Sequence, residues 1–216
     1  MDPRTDASPS RTEELANALT HATGALLAVA VLVVMVVVAA LRGSAAAVVG
    51  ASLFGTSLVL AYAASTVYHA LRPGRAKQVL RVLDHSAIFL LIAGTYTPYC
   101  LVTLRGPWGW SLFGVVWGLA LVGILLKAFA GLGWERLSLL LYLAMGWVVV
   151  VALVPLVRQL PGPGLAWLAA GGVCYTGGVA FYALDRRRWF HAWWHLCVLA
   201  GSACHVVSVT GWVLRS

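Results

Sequence analysis

Seven long apolar runs dominate the chain, at about residues 20–41, 46–69, 84–104, 109–130, 136–157, 164–184 and 191–213. A helix needs roughly 20 mainly apolar residues to cross the hydrocarbon layer of a bilayer, so each run is long enough to be a transmembrane helix. Of the 216 residues, 61% are hydrophobic and only 10% are charged, which is too apolar for a water-soluble domain. The sequence therefore predicts an all-α membrane protein, a seven-helix transmembrane bundle.

The segments outside these runs are short. Residues 1–19 are polar and lack the short apolar core and small-residue cleavage site of a signal peptide, so we expect an N-terminal tail that is not removed. Residues 20–216 leave no room for a further soluble domain or a long linker. We therefore predict a tail at 1–19 and a single transmembrane domain at 20–216.

Basic residues are distributed unevenly between the two sides of the predicted bundle. Most lie in the tail and in alternate loops: Arg4, Arg11, Arg72, Arg75, Lys77, Arg81, Lys127, Arg136, Arg186, Arg187 and Arg188. The opposite side has Arg42, Arg105, Arg158 and Arg215. Cytoplasmic loops carry the excess of lysine and arginine, so the N-terminus is predicted inside and the C-terminus outside. The net charge of +8 is scattered between apolar segments, which favours contact with anionic membrane lipids over nucleic acid.

Polar residues collect at the predicted cytoplasmic ends of four runs. They are Glu14, Asn17 and His21 around the start of the first run, Ser65 and His69 at the end of the second, Asp84 and His85 at the start of the third, and His191 and His195 at the start of the seventh. Odd-numbered helices begin, and even-numbered helices end, on this side of the membrane. These residues are therefore expected to meet in one layer near the inner boundary of the hydrocarbon.

Three of these histidines have the spacing of a metal site. His191 and His195 are four residues apart, so they lie on one face of a helix and can bind one ion. His69 would supply a third nitrogen, which gives the pattern of catalytic zinc, three protein ligands and an open position for water. Zinc lowers the pKa of such a water to about 7. Asp84 is then placed to act as general base, and Ser65 to donate a hydrogen bond to the water or to a developing oxyanion.

The other polar residues allow simpler interpretations. A single histidine near a membrane interface is commonly an amphipathic anchor, and only the shared depth of several favours a metal site. His21 and His85 are as consistent with residues that orient the site as with ligands, and we assign Glu14 and Asn17 the same orienting role. His205 lies about 15 Å further along its helix than His195, too far for the same ion, and is expected to be a packed, hydrogen-bonded core residue.

Four segments together resemble a known family. The stretches "ELANALTHATG", "STVYH", "LDHSAIFLLIAGTYTP" and "HAWWH" are similar, in this order, to those of the hemolysin III family, bacterial membrane proteins grouped with the progestin and adipoQ receptors and so with the adiponectin receptors. The resemblance runs from about Glu14 to the end of the chain. It implies a bacterial cell membrane location, a cytoplasmic N-terminus and a zinc ion in the inner leaflet. By the same resemblance the zinc ligands are His69, His191 and His195, with Asp84 holding the water and Ser65 as the motif serine.

The resemblance leaves the function open between three classes. A wider link to alkaline ceramidases implies a zinc-dependent hydrolase of a lipid amide or ester that enters from the inner leaflet. A receptor-like or structural protein would use the zinc only to fix helices 2, 3 and 7. The family name implies a pore-forming cytolysin, although the acidic residues lie outside the predicted span centres, unlike the coupling groups of transporters. Neither the substrate nor the oligomeric state follows from the sequence.

Overall fold

The computed structural model describes residues 9–130 and 134–214. Within them, seven helices are long and apolar enough to cross a membrane, and they are called spans 1 to 7: Arg11–Arg42, Ala45–Ala70, Arg75–Leu104, Gly106–Phe129, Glu135–Gln159, Gly162–Ala183 and Phe190–Val213. They confirm the predicted all-α, seven-helix membrane protein. Arg4 and Arg215, used for the predicted orientation, lie outside the described residues, and the orientation stays a prediction. The face at which span 1 begins is called the N-terminal face.

Two spans begin earlier than the apolar runs suggested. Span 1 begins at Arg11, inside the predicted tail 1–19, because a capping box precedes it: the Glu13 N–H donates to Ser10 Oγ, and the Ser10 N–H donates to the Glu13 carboxylate. Span 3 begins at Arg75 rather than at Asp84. In both cases the helix continues past the apolar residues into a polar segment. The division into a tail and one domain remains a prediction.

Close packing of span 1 against spans 2 and 7 brings distant parts of the chain together. Spans 1, 2 and 3 pack in sequence, spans 6 and 7 pack as a pair, and span 1 also contacts span 7. Gly24 allows this last approach, since a β-carbon there would lie 2.6 Å from Leu199 of span 7 and 3.2 Å from Tyr62 of span 2. The beginning of span 1, the end of span 2 and the beginning of span 7 are therefore neighbours at the N-terminal face.

The sequence predicts a single transmembrane helix here, but span 5 is not α-helical throughout. It is α-helical over Glu135–Trp147, becomes a 3₁₀-helix over Val148–Ala152, and returns to α-helix over Leu153–Gln159. Tyr96 of span 3 bridges this change, because its hydroxyl donates to the Gly146 carbonyl over 2.7 Å and accepts from the Val149 N–H over 3.1 Å. Side-chain partners of this kind make irregular backbone tolerable at membrane depth.

Replacing Tyr96 by phenylalanine should destabilise the bundle by about 1–3 kcal/mol, because two backbone groups within a membrane-spanning segment lose their partner. Thermal unfolding in detergent would measure this as a lower melting temperature. Tyr182→Phe is the matched control, since the structure gives the Tyr182 hydroxyl no hydrogen bond within the described residues. Equal melting temperatures for Tyr96→Phe and wild type would contradict the role given to Tyr96.

Candidate metal centre and cavity

Three histidines from spans 2 and 7 form one cluster at the N-terminal face. His69 comes from the end of span 2, and His191 and His195 from the first turns of span 7; one ring nitrogen of each lies within 4.8 Å of the others. The ring centroids are 4.7 Å apart for His191 and His195, 5.1 Å for His69 and His191, and 5.0 Å for His69 and His195. The structure thus brings together all three predicted ligands.

The free nitrogens of the cluster fit a metal ion. His69 Nε2, His191 Nε2 and His195 Nδ1 are buried and have no hydrogen-bond partner within the part of the chain that the structure describes. Buried polar atoms without partners are uncommon, because each gives up its hydration without replacement. Three imidazole nitrogens at this separation are a donor set that a transition metal accepts. The His69–His191–His195 group can therefore hold a metal ion.

Glu14 fixes the ring of His69. His69 Nδ1 donates to Glu14 Oε2 over 2.7 Å, and the second carboxylate oxygen accepts from Lys77 Nζ over 2.8 Å. Since Nδ1 carries the proton in this hydrogen bond, the lone pair of Nε2 is left for the ion. This contact supports the orienting role of Glu14, which stays a prediction. Lys77 also donates to the Leu71 carbonyl, whereas the sequence indicates it only as one of the basic residues that set the orientation.

The neighbouring Glu13 holds the beginning of span 7, a contact that could not be predicted from the sequence. The Trp189 N–H donates to Glu13 Oε1 over 2.7 Å. Trp189 has a φ of 67°, in the left-handed region that a bulky residue rarely adopts, and span 7 begins at the next residue, Phe190, directly before His191. The first turn of span 1 thus contacts both sides of the histidine cluster. Its Glu13 binds the residue before span 7, and its Glu14 binds His69 at the end of span 2.

His21, Asn17 and His85 lie around the cluster rather than in it. The His21 ring stacks on His195 with centroids 3.6 Å apart and planes 8° apart, and neither His21 nitrogen has a hydrogen-bond partner among the described residues. Asn17, one turn earlier on span 1, is 1% exposed. His85 is buried on span 3 beside Tyr182, with ring centroids 6.3 Å apart. None of the three belongs to the group of candidate ligands.

A cavity of about 500 Å³ begins at the cluster and runs between the spans toward the opposite face. Asp84, Ser65, His191 and His195 line its end at the N-terminal face. Ser65 is 2% exposed and lies close to Asp84, but its Oγ has no partner at hydrogen-bonding geometry within the described residues. The remaining walls are largely leucine, isoleucine, valine and tyrosine, mostly from spans 3, 5 and 6, and they include part of the 3₁₀ segment of span 5. The volume is typical of pockets that bind organic ligands.

His205 is buried and hydrogen bonded, as predicted, but it also faces this cavity. It is 5% exposed, its Nδ1 lies 2.7 Å from the Gly201 carbonyl oxygen, and its ring stacks on Tyr175 at a centroid distance of 5.2 Å. It is not part of the histidine cluster. Its position on the cavity wall could not be read from the sequence, because periodicity does not say which neighbours leave a gap.

Comparison with known proteins gives consistent results. The family described as "Haemolysin-III related" matches residues 10–206. "Hemolysin-3" of Bacillus cereus is 44% identical over 202 residues, 94% of this chain and 92% of the relative, and "Hemolysin-3 homolog" of Bacillus subtilis (strain 168) is 44% identical over 191 residues, 88% and 90% of the two chains. "Monocyte to macrophage differentiation factor" of Homo sapiens is 27% identical over 216 residues, 96% of this chain and 87% of that protein. No solved structure matches the chain.

The family match covers all seven described spans at least in part, together with every residue of the histidine cluster. The more similar relatives are bacterial and about as long as this chain. The chain is therefore a multi-pass protein of the bacterial cell membrane and belongs to the haemolysin-III-related family.

Proposed function

We propose that the protein is a zinc-dependent hydrolase within the membrane that cleaves a lipid amide or ester. One observation carries this proposal: a largely apolar cavity of about 500 Å³ ends at His191 and His195, with Asp84 and Ser65 also in its lining. A hydrophobic chain and a polar reacting group thus find matching surroundings in one site. With the N-terminus inside, as predicted, the substrate enters from the inner leaflet.

His69, His191 and His195 would hold the zinc. Three neutral imidazoles leave one position open, the pattern of catalytic rather than structural zinc. When bound, zinc acts as a Lewis acid and lowers the pKa of a water in its open position. The Glu14 carboxylate keeps His69 in the tautomer whose Nε2 is free, and the Lys77 ammonium balances the charge of Glu14.

In this proposal Asp84 transfers the proton, and Ser65 stabilises the negative charge that develops on the acyl oxygen. A carboxylate oxygen of Asp84 accepts the proton of the attacking water as the hydroxyl adds to the acyl carbon. Asp84 then returns this proton to the leaving nitrogen or oxygen as the acyl bond breaks, so water is consumed and an acid and an amine or alcohol are formed. The Ser65 hydroxyl donates to the oxyanion that develops at the acyl oxygen. Ser65 Oγ has no hydrogen-bond partner among the residues that the structure describes, which supports this assignment.

The test is hydrolysis by the purified protein in nanodiscs. The substrates are ceramide, an N-acylethanolamine, a monoacylglycerol and a diacyl phospholipid, each with the as-purified protein, after chelation, and after zinc is added back. We expect release of fatty acid from at least one lipid, loss with the chelator and recovery with zinc. Zinc-replete protein that cleaves none of the four lipids would contradict the proposal.

A receptor-like or structural zinc protein is the second candidate. It is favoured by the contacts of Glu13 and Glu14, which join spans 1, 2 and 7 around the cluster, so that an ion there would also fix the arrangement of helices. In this case zinc removal lowers the melting temperature without any loss of a lipid-cleaving activity. The name of one relative, Hemolysin-3, suggests cytolysis as a third candidate function. Release of a trapped dye from liposomes that contain the protein would test it.

Replacing Glu14 by glutamine should weaken zinc binding by about 10- to 100-fold, because the neutral amide is a poorer acceptor for the His69 Nδ1–H. Competition with a chromophoric chelator measures the affinity. Glu135→Gln is the matched control, since Glu135 pairs with Arg81 at a half-exposed position, where an ion pair contributes little. Equal affinities for Glu14→Gln and wild type would show that His69 does not depend on this carboxylate.

A further inference from the structure

A second set of polar groups lies along the cavity, well beyond the candidate metal centre. Ser202 and His205 follow His195 on span 7, and His205 lines the same cavity as His191 and His195. The rise of an α-helix puts His205 about 15 Å from His195 along the axis. Because His205 follows His191 by almost four whole turns, the two side chains leave the helix on the same side.

The ring of His205 is held in one position. Tyr175 stacks on it with planes 20° apart, and Gly171 makes room for it, since a β-carbon at Gly171 would collide with Cε1 and Nδ1 of the ring. Tyr175 is itself fixed, because its hydroxyl is 2.8 Å from Ser202 Oγ, which also accepts a hydrogen bond from the Tyr62 hydroxyl over 2.6 Å. The serine and both tyrosines therefore satisfy one another.

His205 presents a hydrogen-bond acceptor that no described residue of the protein uses. A carbonyl oxygen only accepts, so the 2.7 Å contact with Gly201 O requires a proton on Nδ1. In the neutral ring Nε2 then has a lone pair, and no hydrogen bond to it occurs among the described residues. The cavity around it is mostly apolar, and a polar atom in such surroundings costs free energy unless a donor reaches it.

We propose that His205 Nε2 accepts a hydrogen bond from a hydroxyl on the hydrocarbon chain of the lipid, so that the site selects acyl chains hydroxylated far from the carbonyl. This rests on the proposed function in that the carbonyl end lies at the histidine cluster. In an extended chain of ~1.5 Å carbon–carbon bonds each carbon advances about 1.25 Å, so ~15 Å of helix corresponds to roughly twelve carbons. His205 Nε2 would therefore accept a hydrogen bond from a hydroxyl near carbon 12 of the chain.

The test uses binding rather than hydrolysis. Dodecanoate, 12-hydroxydodecanoate and 3-hydroxydodecanoate compete with a fluorescent fatty acid for the zinc-loaded protein in detergent micelles, with wild type, His205→Phe and His205→Gln. Phenylalanine keeps the aromatic ring against Tyr175 but has no acceptor, whereas the glutamine amide reaches the position of Nε2. For each ligand we compare the apparent affinity of wild type with that of the variant. In this ratio the partitioning of the ligand into micelles cancels, because it is the same for both proteins.

We expect the preference for 12-hydroxydodecanoate over dodecanoate to fall by about 3- to 10-fold in His205→Phe, the effect of one neutral hydrogen bond, and to be largely kept in His205→Gln. The 3-hydroxy isomer should show no such change. An unchanged preference in His205→Phe overturns the proposal. If His205→Phe does not fold, His205→Leu, which also lacks an acceptor, takes its place, and an unchanged preference there overturns the proposal as well. Because the test needs no turnover, its failure can be told apart from that of the proposed function. A protein that prefers 12-hydroxydodecanoate but hydrolyses no lipid refutes only the hydrolase proposal. A protein that hydrolyses lipids but lacks this preference refutes only the present inference.

Discussion

Purified wild-type protein is expected to contain about one zinc per chain, and His69→Ala, His191→Ala and His195→Ala each to lose most of it. Zinc sites with four ligands gain about 10–16 kcal/mol on binding, so one ligand is worth roughly 3–4 kcal/mol, or about 100- to 1,000-fold in affinity. The described cluster offers three histidines within 4.8 Å, with no further histidine in the group to replace a lost one. Elemental analysis of protein dialysed against a weak chelator measures the content.

The controls for this experiment are His205→Phe and the melting temperature. His205 lies about 15 Å along span 7 from His195 and outside the cluster, so its replacement should leave the zinc content unchanged. Since an ion that binds only the folded protein stabilises it, a strong chelator should lower the melting temperature of wild type but hardly that of the three alanine variants. Full zinc content in any of these variants would remove that histidine from the site.

The seven spans could be predicted because the membrane imposes one strong rule on the sequence. A run of about 20 apolar residues has few alternatives, and each predicted run overlaps one observed span. The ends were less predictable, since the apolar run marks the hydrocarbon layer and not the helix. Span 1 therefore begins at Arg11, where the Ser10 capping box starts it, and span 3 begins at Arg75.

The histidine cluster could be predicted for a different reason. His191 and His195 share a helix face by spacing alone, and His69 meets them because the number of crossings between the two segments returns the chain to the same side. The link from Glu13 to the Trp189 N–H could not be predicted, because it joins residues 176 positions apart and nothing local in either segment signals the other. The same holds for Tyr96, whose sequence neighbours give no hint that span 5 changes its helix type beside it.

Asp84→Asn is expected to lower the rate of lipid hydrolysis by at least about 100-fold while leaving the zinc content unchanged, because the amide has the shape of the carboxylate but cannot accept the proton of water. Asp84 lines the same cavity as His191 but is not part of the histidine cluster, so zinc binding and proton transfer should separate in this variant. Fatty acid release and zinc content are measured on the same preparation, with Glu135→Gln as a carboxylate-to-amide control at the N-terminal face.

The outcome discriminates between the two principal functions. If zinc serves only to fix the helices, Asp84→Asn should retain its zinc, its melting temperature and whatever phenotype the wild type confers. If Asp84 moves the proton, a well-folded variant with full zinc should have lost the activity, whereas His191→Ala loses both. A variant that keeps wild-type hydrolysis would exclude Asp84 as the base, and the buried Ser65 hydroxyl beside it would then lack the water-activating partner that the mechanism requires.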